Sequence, residues 1–177
     1  MFDKDRFIAD CRAALEGDRT SRNVREVVAR AVSDPARVID GLGEPKAGGI
    51  QSIHRSPELT IINVLWPAHM VIMPHNHSMW AVIGVYGGRE DNMLWRRLPD
   101  DADGKIEAAG AIALSTKDAQ VFGPDVIHSV VNPIPRVTGA IHVYGGDFFA
   151  AQRSEWDPES LCEKPYDVEK ALRMFKR

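Results

Sequence analysis

The residues best suited to chemistry are histidines. Two of the six stand one residue apart in Pro74-His75-Asn76-His77-Ser78-Met79-Trp80, with apolar sequence on both sides. Side chains alternate faces along a strand, so His75 and His77 point the same way with neighbouring imidazoles. Two neutral imidazoles so placed can hold one divalent ion at about 2 Å per bond. The pair alone is equally compatible with two surface histidines on an edge strand, or with core histidines bonded to backbone carbonyls. A third ligand decides between these readings, and the candidate is His128. It lies in the apolar run Val126-Ile127-His128-Ser129-Val130-Val131, entered through the turn Gly123-Pro124-Asp125. A second cluster follows in Gly139-Ala140-Ile141-His142-Val143-Tyr144-Gly145-Gly146, where His142 and Tyr144 again share a strand face. Packed on a sheet they are ordinary half-buried polar residues; beside a reacting group, a tyrosine hydroxyl donates a hydrogen bond or shuttles a proton.

These residues need a scaffold. The chain has 177 residues, 44% apolar and 27% charged, which suits a single soluble domain with one sizeable core. Residues 1–45 read as helical. Phe7, Ile8, Cys11, Ala14 and Leu15 form one apolar stripe, and Val24, Val27, Val28, Ala31 and Val32 form a second, capped by Thr20 or Ser21. Asp34-Pro35 opens a short third helix that Gly41 and Gly43 stop. From Gly49 the period changes to two. Strands are expected over 50–55, 59–66, 80–86, 92–98, 105–115, 119–122, 127–131 and 137–144, separated by turn-forming sequence. Short strands at close spacing predict a mainly β fold, an antiparallel sandwich or jelly-roll barrel over residues 49–149, with the N-terminal helices packed outside it. Residues 150–177 read as a polar tail with a terminal helix over 167–176.

A formal charge of −3 gives no electrostatic reason to expect nucleic acid or an anionic membrane as a partner. The charged N-terminus carries no apolar stretch of signal-peptide length, and no apolar run approaches the roughly 20 residues that span a bilayer. A cytoplasmic location is the expectation. The two cysteines, Cys11 and Cys162, make no disulfide framework. The edges of a jelly roll leave room for a homodimer.

Taken together, "PHNH" with "GVYGGRE" and, some forty residues later, "GPDVIHSVVN" resemble the two metal-binding motifs of the cupin superfamily. The resemblance covers about residues 50–146 and implies a metal held by His75, His77 and His128 in a cupin-type barrel (a double-stranded β-helix). The second motif is one residue shorter between proline and histidine than the common form. Many cupins add a glutamate three or four residues past the histidine pair; here Ala81 and Val82 stand there. Glu90 lies farther along and reads as a solvated hairpin residue. The expected site is three neutral histidines with no protein anion, which leaves the ion its full charge and open positions for an anionic atom such as a thiolate or enolate.

The stretch "HVYGG" narrows the resemblance to the cysteine dioxygenase family of thiol dioxygenases. That family relays through a serine, a histidine and a tyrosine at alternate strand positions. His142 and Tyr144 match, but Ala140 occupies the serine position, which leaves the orientation of His142 without a partner. The cysteine that some members cross-link to the tyrosine is absent from Trp80-Ala81-Val82, and His77-Ser78-Met79-Trp80-Ala81 resembles bacterial relatives acting on mercaptopropionate-like thiols. Trp80 then lines the pocket or fills core. Arg55 occupies roughly the place of the arginine that holds the substrate carboxylate, although at a turn it serves as well as a solvent-facing residue. His54 and His69 lie off both motifs. The resemblance implies an Fe(II) dioxygenase taking a small thiol and O2 to a sulfinate. A three-histidine dioxygenase cleaving a β-diketone or similar enolate, a metal-dependent isomerase or hydrolase using Zn, Mn or Ni, and a non-catalytic cupin are the alternatives, because imidazole suits several metals.

Overall fold

The computed structural model describes residues 1–18 and 21–176; the proposed cap at Thr20 lies outside them. Three helices come first: α1 (Lys4–Asp18), α2 (Ser21–Val32) and α3 (Pro35–Leu42). The third begins as its sequence dictates. The Asp34 carboxylate accepts a hydrogen bond from the Arg37 backbone N–H at 3.3 Å, Pro35 fits the first turn, and Gly43 ends it by donating to the Ile39 carbonyl at 2.8 Å.

Eleven strands follow: β1 (Gly49–Arg55), β2 (Thr60–Trp66), β3 (Val71–Asn76), β4 (Ala81–Gly87), β5 (Arg89–Arg97), β6 (Ile106–Ser115), β7 (Ala119–Phe122), β8 (Ile127–Val131), β9 (Thr138–Tyr144), β10 (Ser154–Trp156) and β11 (Glu163–Pro165). Helix α4 (Val168–Met174) closes the described chain. The strands form two sheets in the orders β1-β2-β9-β4-β7 and β11-β10-β3-β8-β5-β6, paired antiparallel. Apart from the consecutive pairs β1–β2, β5–β6 and β10–β11, neighbours in each sheet come from distant parts of the sequence, as in a jelly roll. Among the described residues no helix is long and apolar enough to cross a membrane.

The two faces of the first sheet explain why its central strands read as unbroken apolar runs. Ile62, Val64 and Trp66 of β2, Ala81, Ile83 and Val85 of β4, and Ala140 and Tyr144 of β9 face the core between the sheets. Their alternate neighbours Ile61, Leu65, Val82, Tyr86, Ile141 and Val143 pack against Phe7, Cys11, Val24, Val28, Val32 and Val38 of the helices. A strand buried on both faces loses the apolar–polar alternation. Gly84 lets α2 approach: a Cβ there would lie 2.4 Å from Val28 Cγ1 and 2.9 Å from Val32 Cγ1.

Three features depart from the sequence reading. Strand β3 carries Pro74, which argues against a central strand, but the register shifts between Ile72 and His75 and the bulge absorbs it. The segment after Phe149 supplies β10, whose Glu155 pairs with His75, and then β11 and α4, so it is built into the second sheet. The chain also leaves one sheet for the other at Gly88 (φ +97°), so β4 and β5 do not form a hairpin. Strand β5 therefore starts at Arg89, and Glu90 points into the barrel.

Gly84→Ala is expected to destabilise the protein by about 1–3 kcal/mol, the usual cost of overfilling a packed interface. Gly49→Ala, where a Cβ meets nothing within 4 Å, is expected to stay within about 0.5 kcal/mol. Urea unfolding of the two variants checks this; equal midpoints would show that α2 does not depend on the close approach.

Candidate metal centre

His75 sits directly opposite His128 across the antiparallel β3–β8 pair, and His77 follows one residue beyond the end of β3. The bulge at Met73-Pro74 sets this geometry. Ile72 and His75 are an odd number of residues apart, yet both line the barrel interior, which a regular strand forbids. The three rings converge, with centroids 4.7 Å (His75–His128), 4.8 Å (His77–His128) and 5.3 Å (His75–His77) apart. One potential ligand atom from each lies within 4.8 Å of the others, and His77 Nε2 is 3.0 Å from His128 Nε2. Two nitrogens sharing an ion at about 2.0–2.1 Å stand about 3.0–3.4 Å apart. The spacing fits one metal.

The hydrogen bonds prepare the same nitrogens. His75 Nδ1–H donates to the Met73 carbonyl at 2.9 Å, and His128 Nδ1–H donates to Asn92 Oδ1 at 2.7 Å. Each bond fixes the tautomer with the proton on Nδ1 and leaves Nε2 bare for an ion. His77 Nδ1 is buried without a hydrogen-bond partner. Burial holds all three imidazoles neutral: it lowers His75 from 6.5 to about 4, and lowers His77 and His128 well below 6.5, with their histidine neighbours adding to the effect. The neutral form is the one that binds a metal.

A second network starts at Glu90. Its carboxylate is fully buried and accepts from Trp66 Nε1–H at 2.8 Å and from Asn92 Nδ2 at 3.3 Å, and lies 3.3 Å from His142 Nε2. His142 Nδ1 is 3.0 Å from the Tyr144 hydroxyl. The orientation of His142, left open by Ala140, is thus set from across the barrel. Tyr144 stacks on Phe148 (4.1 Å between centroids) and meets His77 edge-on at 5.1 Å. Burial raises its phenol far above the ordinary value, so it keeps its proton and stays a donor. The expected solvated Glu90 is corrected here. Glu90, Asn92 and Leu94 alternate along β5 and face inward, and the period of two running through Asn92 was the available signal.

The histidines open on a cavity of about 90 Å³, walled by Ile62, Trp66, Ile72, Tyr144 and Phe148 and covered by Ala171, Leu172 and Phe175 at the C-terminal end. It is small beside the 300–1,000 Å³ of drug-sized ligand pockets. Helix α4 is pinned over it through Glu155, which binds Lys170 at 2.7 Å and the Asp167 backbone N–H at 3.1 Å. Arg153 also lines the cavity. Its guanidinium lies between the Phe148 ring (4.0 Å) and the Tyr166 ring (4.3 Å), rings that themselves neighbour His77 (6.1 Å) and His75 (5.7 Å). Tyr166 hydrogen-bonds to Arg153, but its buried Nε and Nη1 have no partner. Among the described residues, the buried side-chain polar atoms without a partner are these two and His77 Nδ1. Burial lowers the Arg153 pKa from its ordinary value, a sign of a desolvated cation.

The other arginine candidate is placed elsewhere. Arg55 is exposed and binds both oxygens of Asp147, at 2.8 and 3.0 Å, and does not line the cavity. Trp80 packs on the outer, helix-facing cluster and against Gly145, where a Cβ would come within 2.1 Å of its ring. It borders an open groove of about 800 Å³ that contains none of the three histidines. His54 is half-buried, with its ring 3.3 Å from the Arg12 guanidinium. Arg153 escaped the sequence reading because it falls in the segment taken for a tail.

No protein-family model and no curated protein matches the chain. Solved structures similar to it include BH2720 from Bacillus halodurans, at 14% identity and a TM-score of 0.50, over 62% of this chain and 77% of that one. They also include a double-stranded β-helix protein from Klebsiella pneumoniae, at 11% identity and a TM-score of 0.43, over 68% and 85% of the two chains. Oxalate decarboxylase from Bacillus subtilis matches at 13% identity and a TM-score of 0.46, over 62% of this chain. The chain spans little more than a quarter of that enzyme, 28% of its length. The fold is a double-stranded β-helix of the cupin type. The likeness to BH2720 bears on the fold alone, and the chemistry rests on the site's own side chains.

The buried histidines make the metal-free protein acid-sensitive. Between pH 6.5 and about 4 the unfolded chain binds protons that the folded histidines refuse, so stability falls as the pH falls. The slope is up to about 1.4 kcal/mol per pH unit for each histidine. Denaturant unfolding of metal-free protein from pH 7 to 5 is expected to show this loss, and a His75→Gln variant a shallower one.

Proposed function

We propose that the protein is a metal-dependent cupin enzyme, and specifically a mononuclear non-haem Fe(II) dioxygenase that converts a small carboxylate-bearing thiol to its sulfinate. One observation carries this reading: a single small cavity holds three neutral imidazoles at metal-binding spacing and a buried guanidinium with open N–H groups. The resemblance of "HVYGG" and the histidine motifs to the thiol dioxygenases supports the choice of reaction.

Bound at His75, His77 and His128, Fe(II) supplies open coordination positions and the redox chemistry that joins O2 to sulfur. The chain supplies the rest. Arg153 takes the substrate carboxylate with its unpaired N–H groups, which fixes the direction in which the thiol points. Tyr144, its O–H donated to His142 Nδ1, presents its hydroxyl oxygen next to His77 as an acceptor. The apolar walls and α4 exclude water. Overall, R–SH and O2 give R–SO2H: the sulfur loses four electrons, O2 gains them, and both oxygen atoms end in the product. No Asp or Glu is among the described residues lining the cavity, so nothing there pairs with a substrate ammonium. That favours a mercaptopropionate-like thiol over cysteine, and both over cysteamine, which lacks the carboxylate.

O2 uptake by anaerobically iron-loaded protein tests the reading. Uptake is expected with 3-mercaptopropionate, less with cysteine and least with cysteamine. Arg153→Gln is expected to raise KM for 3-mercaptopropionate about 10- to 100-fold, matching the roughly 1.5–3 kcal/mol of a hydrogen bond to a charged group. A filled iron site with no uptake on any thiol, or turnover of β-diketones instead, would remove the thiol assignment.

A further inference from the structure

We propose that Glu90 is the positioning residue of this centre, its buried carboxylate holding both a metal ligand and the tyrosine that faces the substrate. The inference rests on the metal-centre reading and adds a role that the three-histidine set does not contain. One arm runs from Glu90 Oε1 to Asn92 Nδ2 (3.3 Å), and from Asn92 Oδ1 to His128 Nδ1 (2.7 Å). The other runs from Glu90 Oε2 to His142 Nε2 (3.3 Å), and from His142 Nδ1 to the Tyr144 hydroxyl (3.0 Å). Both arms end on the metal site, the first on the ligand His128 and the second on Tyr144, which packs edge-on against the ligand His77.

The chemistry of each joint is directional. A carboxylate accepts only, so Asn92 must turn its amide N–H2 towards Glu90 and its Oδ1 towards His128. That orientation forces the His128 proton onto Nδ1 and bares Nε2. The same carboxylate next to His142 Nε2 draws a proton to that nitrogen and leaves Nδ1 to accept from Tyr144. Glu90 thereby fixes two tautomers and one amide orientation at once. Its charge is not a packing convenience, since an apolar side chain at this inward position would fill the core without the desolvation that a buried carboxylate incurs. The position also explains how a chain with Ala140 in place of the relay serine still orients His142. The three imidazoles bring no anion to the ion, and Glu90 places one a single residue behind the ligand shell.

The test is Co(II) binding to the metal-free protein, followed through its visible absorption, for wild type, Glu90→Gln, Asn92→Ala and the double variant. Glu90→Gln keeps its oxygen for Trp66 and His142 and sets its N–H2 against Asn92, and is expected to weaken Co(II) binding about 10- to 100-fold. Asn92→Ala breaks the same arm without touching Trp66 or His142 and should weaken it by a similar factor. Because the two act in series, the double variant should be no weaker than the worse single one. Proton NMR of the metal-free protein reads the other arm: a downfield His142 imidazole N–H resonance is expected in wild type and Asn92→Ala, and moved upfield in Glu90→Gln, whose neutral amide oxygen is a weaker acceptor than a carboxylate. Unchanged Co(II) affinity in Glu90→Gln, multiplied effects in the double variant, or an N–H resonance unmoved in Glu90→Gln would overturn the role of Glu90 while leaving the metal centre standing. Should Glu90→Gln not fold, Asn92→Ala decides alone: wild-type affinity overturns the proposal. A wild-type protein that binds no Co(II) defeats the metal centre and this role together.

Discussion

A polar group sealed inside a barrel of Ile, Val, Phe and Trp must find a partner or give up its charge, and the interior of this protein is organised by that constraint. His75, His128, Glu90, Asn92, His142 and Tyr144 are all buried, and each is tied to another polar group by a bond whose direction follows from what it can donate or accept. What is left over is informative. The partnerless buried atoms among the described residues belong to His77 and Arg153, on the same cavity. The first lets His77 carry its proton on Nδ1 and turn a bare Nε2 to the cluster, and the second suits an anion beside it.

The scaffold delivers this arrangement through a few local irregularities. A bulge at Met73-Pro74 turns His75 towards the ion site, and the sheet-to-sheet corner at Gly88 brings Glu90 and Asn92 in behind it. The helices α1–α3 cover the far side of the sheet that carries His142 and Tyr144, while β10 and β11 complete the sheet that carries His75 and His128. The final segment does two further things: it brings Arg153 to the cavity and places α4 across it.

Much of this was legible in the residues. The helical stripes, the change of period at Gly49 and the HxH pair with a distant third histidine led to the right architecture, because apolar periodicity and metal-ligand spacing are local signals. What was not legible depended on contacts between distant segments. Glu90 looks solvated beside Gly87-Gly88 only if those glycines make a hairpin; once the chain changes sheets there, the same residue faces the core. Arg153 sits in polar, irregular sequence, and nothing local reveals that Phe148 and Tyr166 will close over it. Arg55 matched by position along the chain, but Asp147 already occupies its guanidinium.

The most direct measurement of the central claim is X-ray absorption at the iron edge of the reconstituted protein. The account predicts one iron per chain with three imidazole nitrogens at about 2.0–2.2 Å and the remaining positions filled by solvent oxygen. Iron that binds with fewer than three imidazoles, with a carboxylate in its first shell, or with the same spectrum after His128→Ala would contradict it.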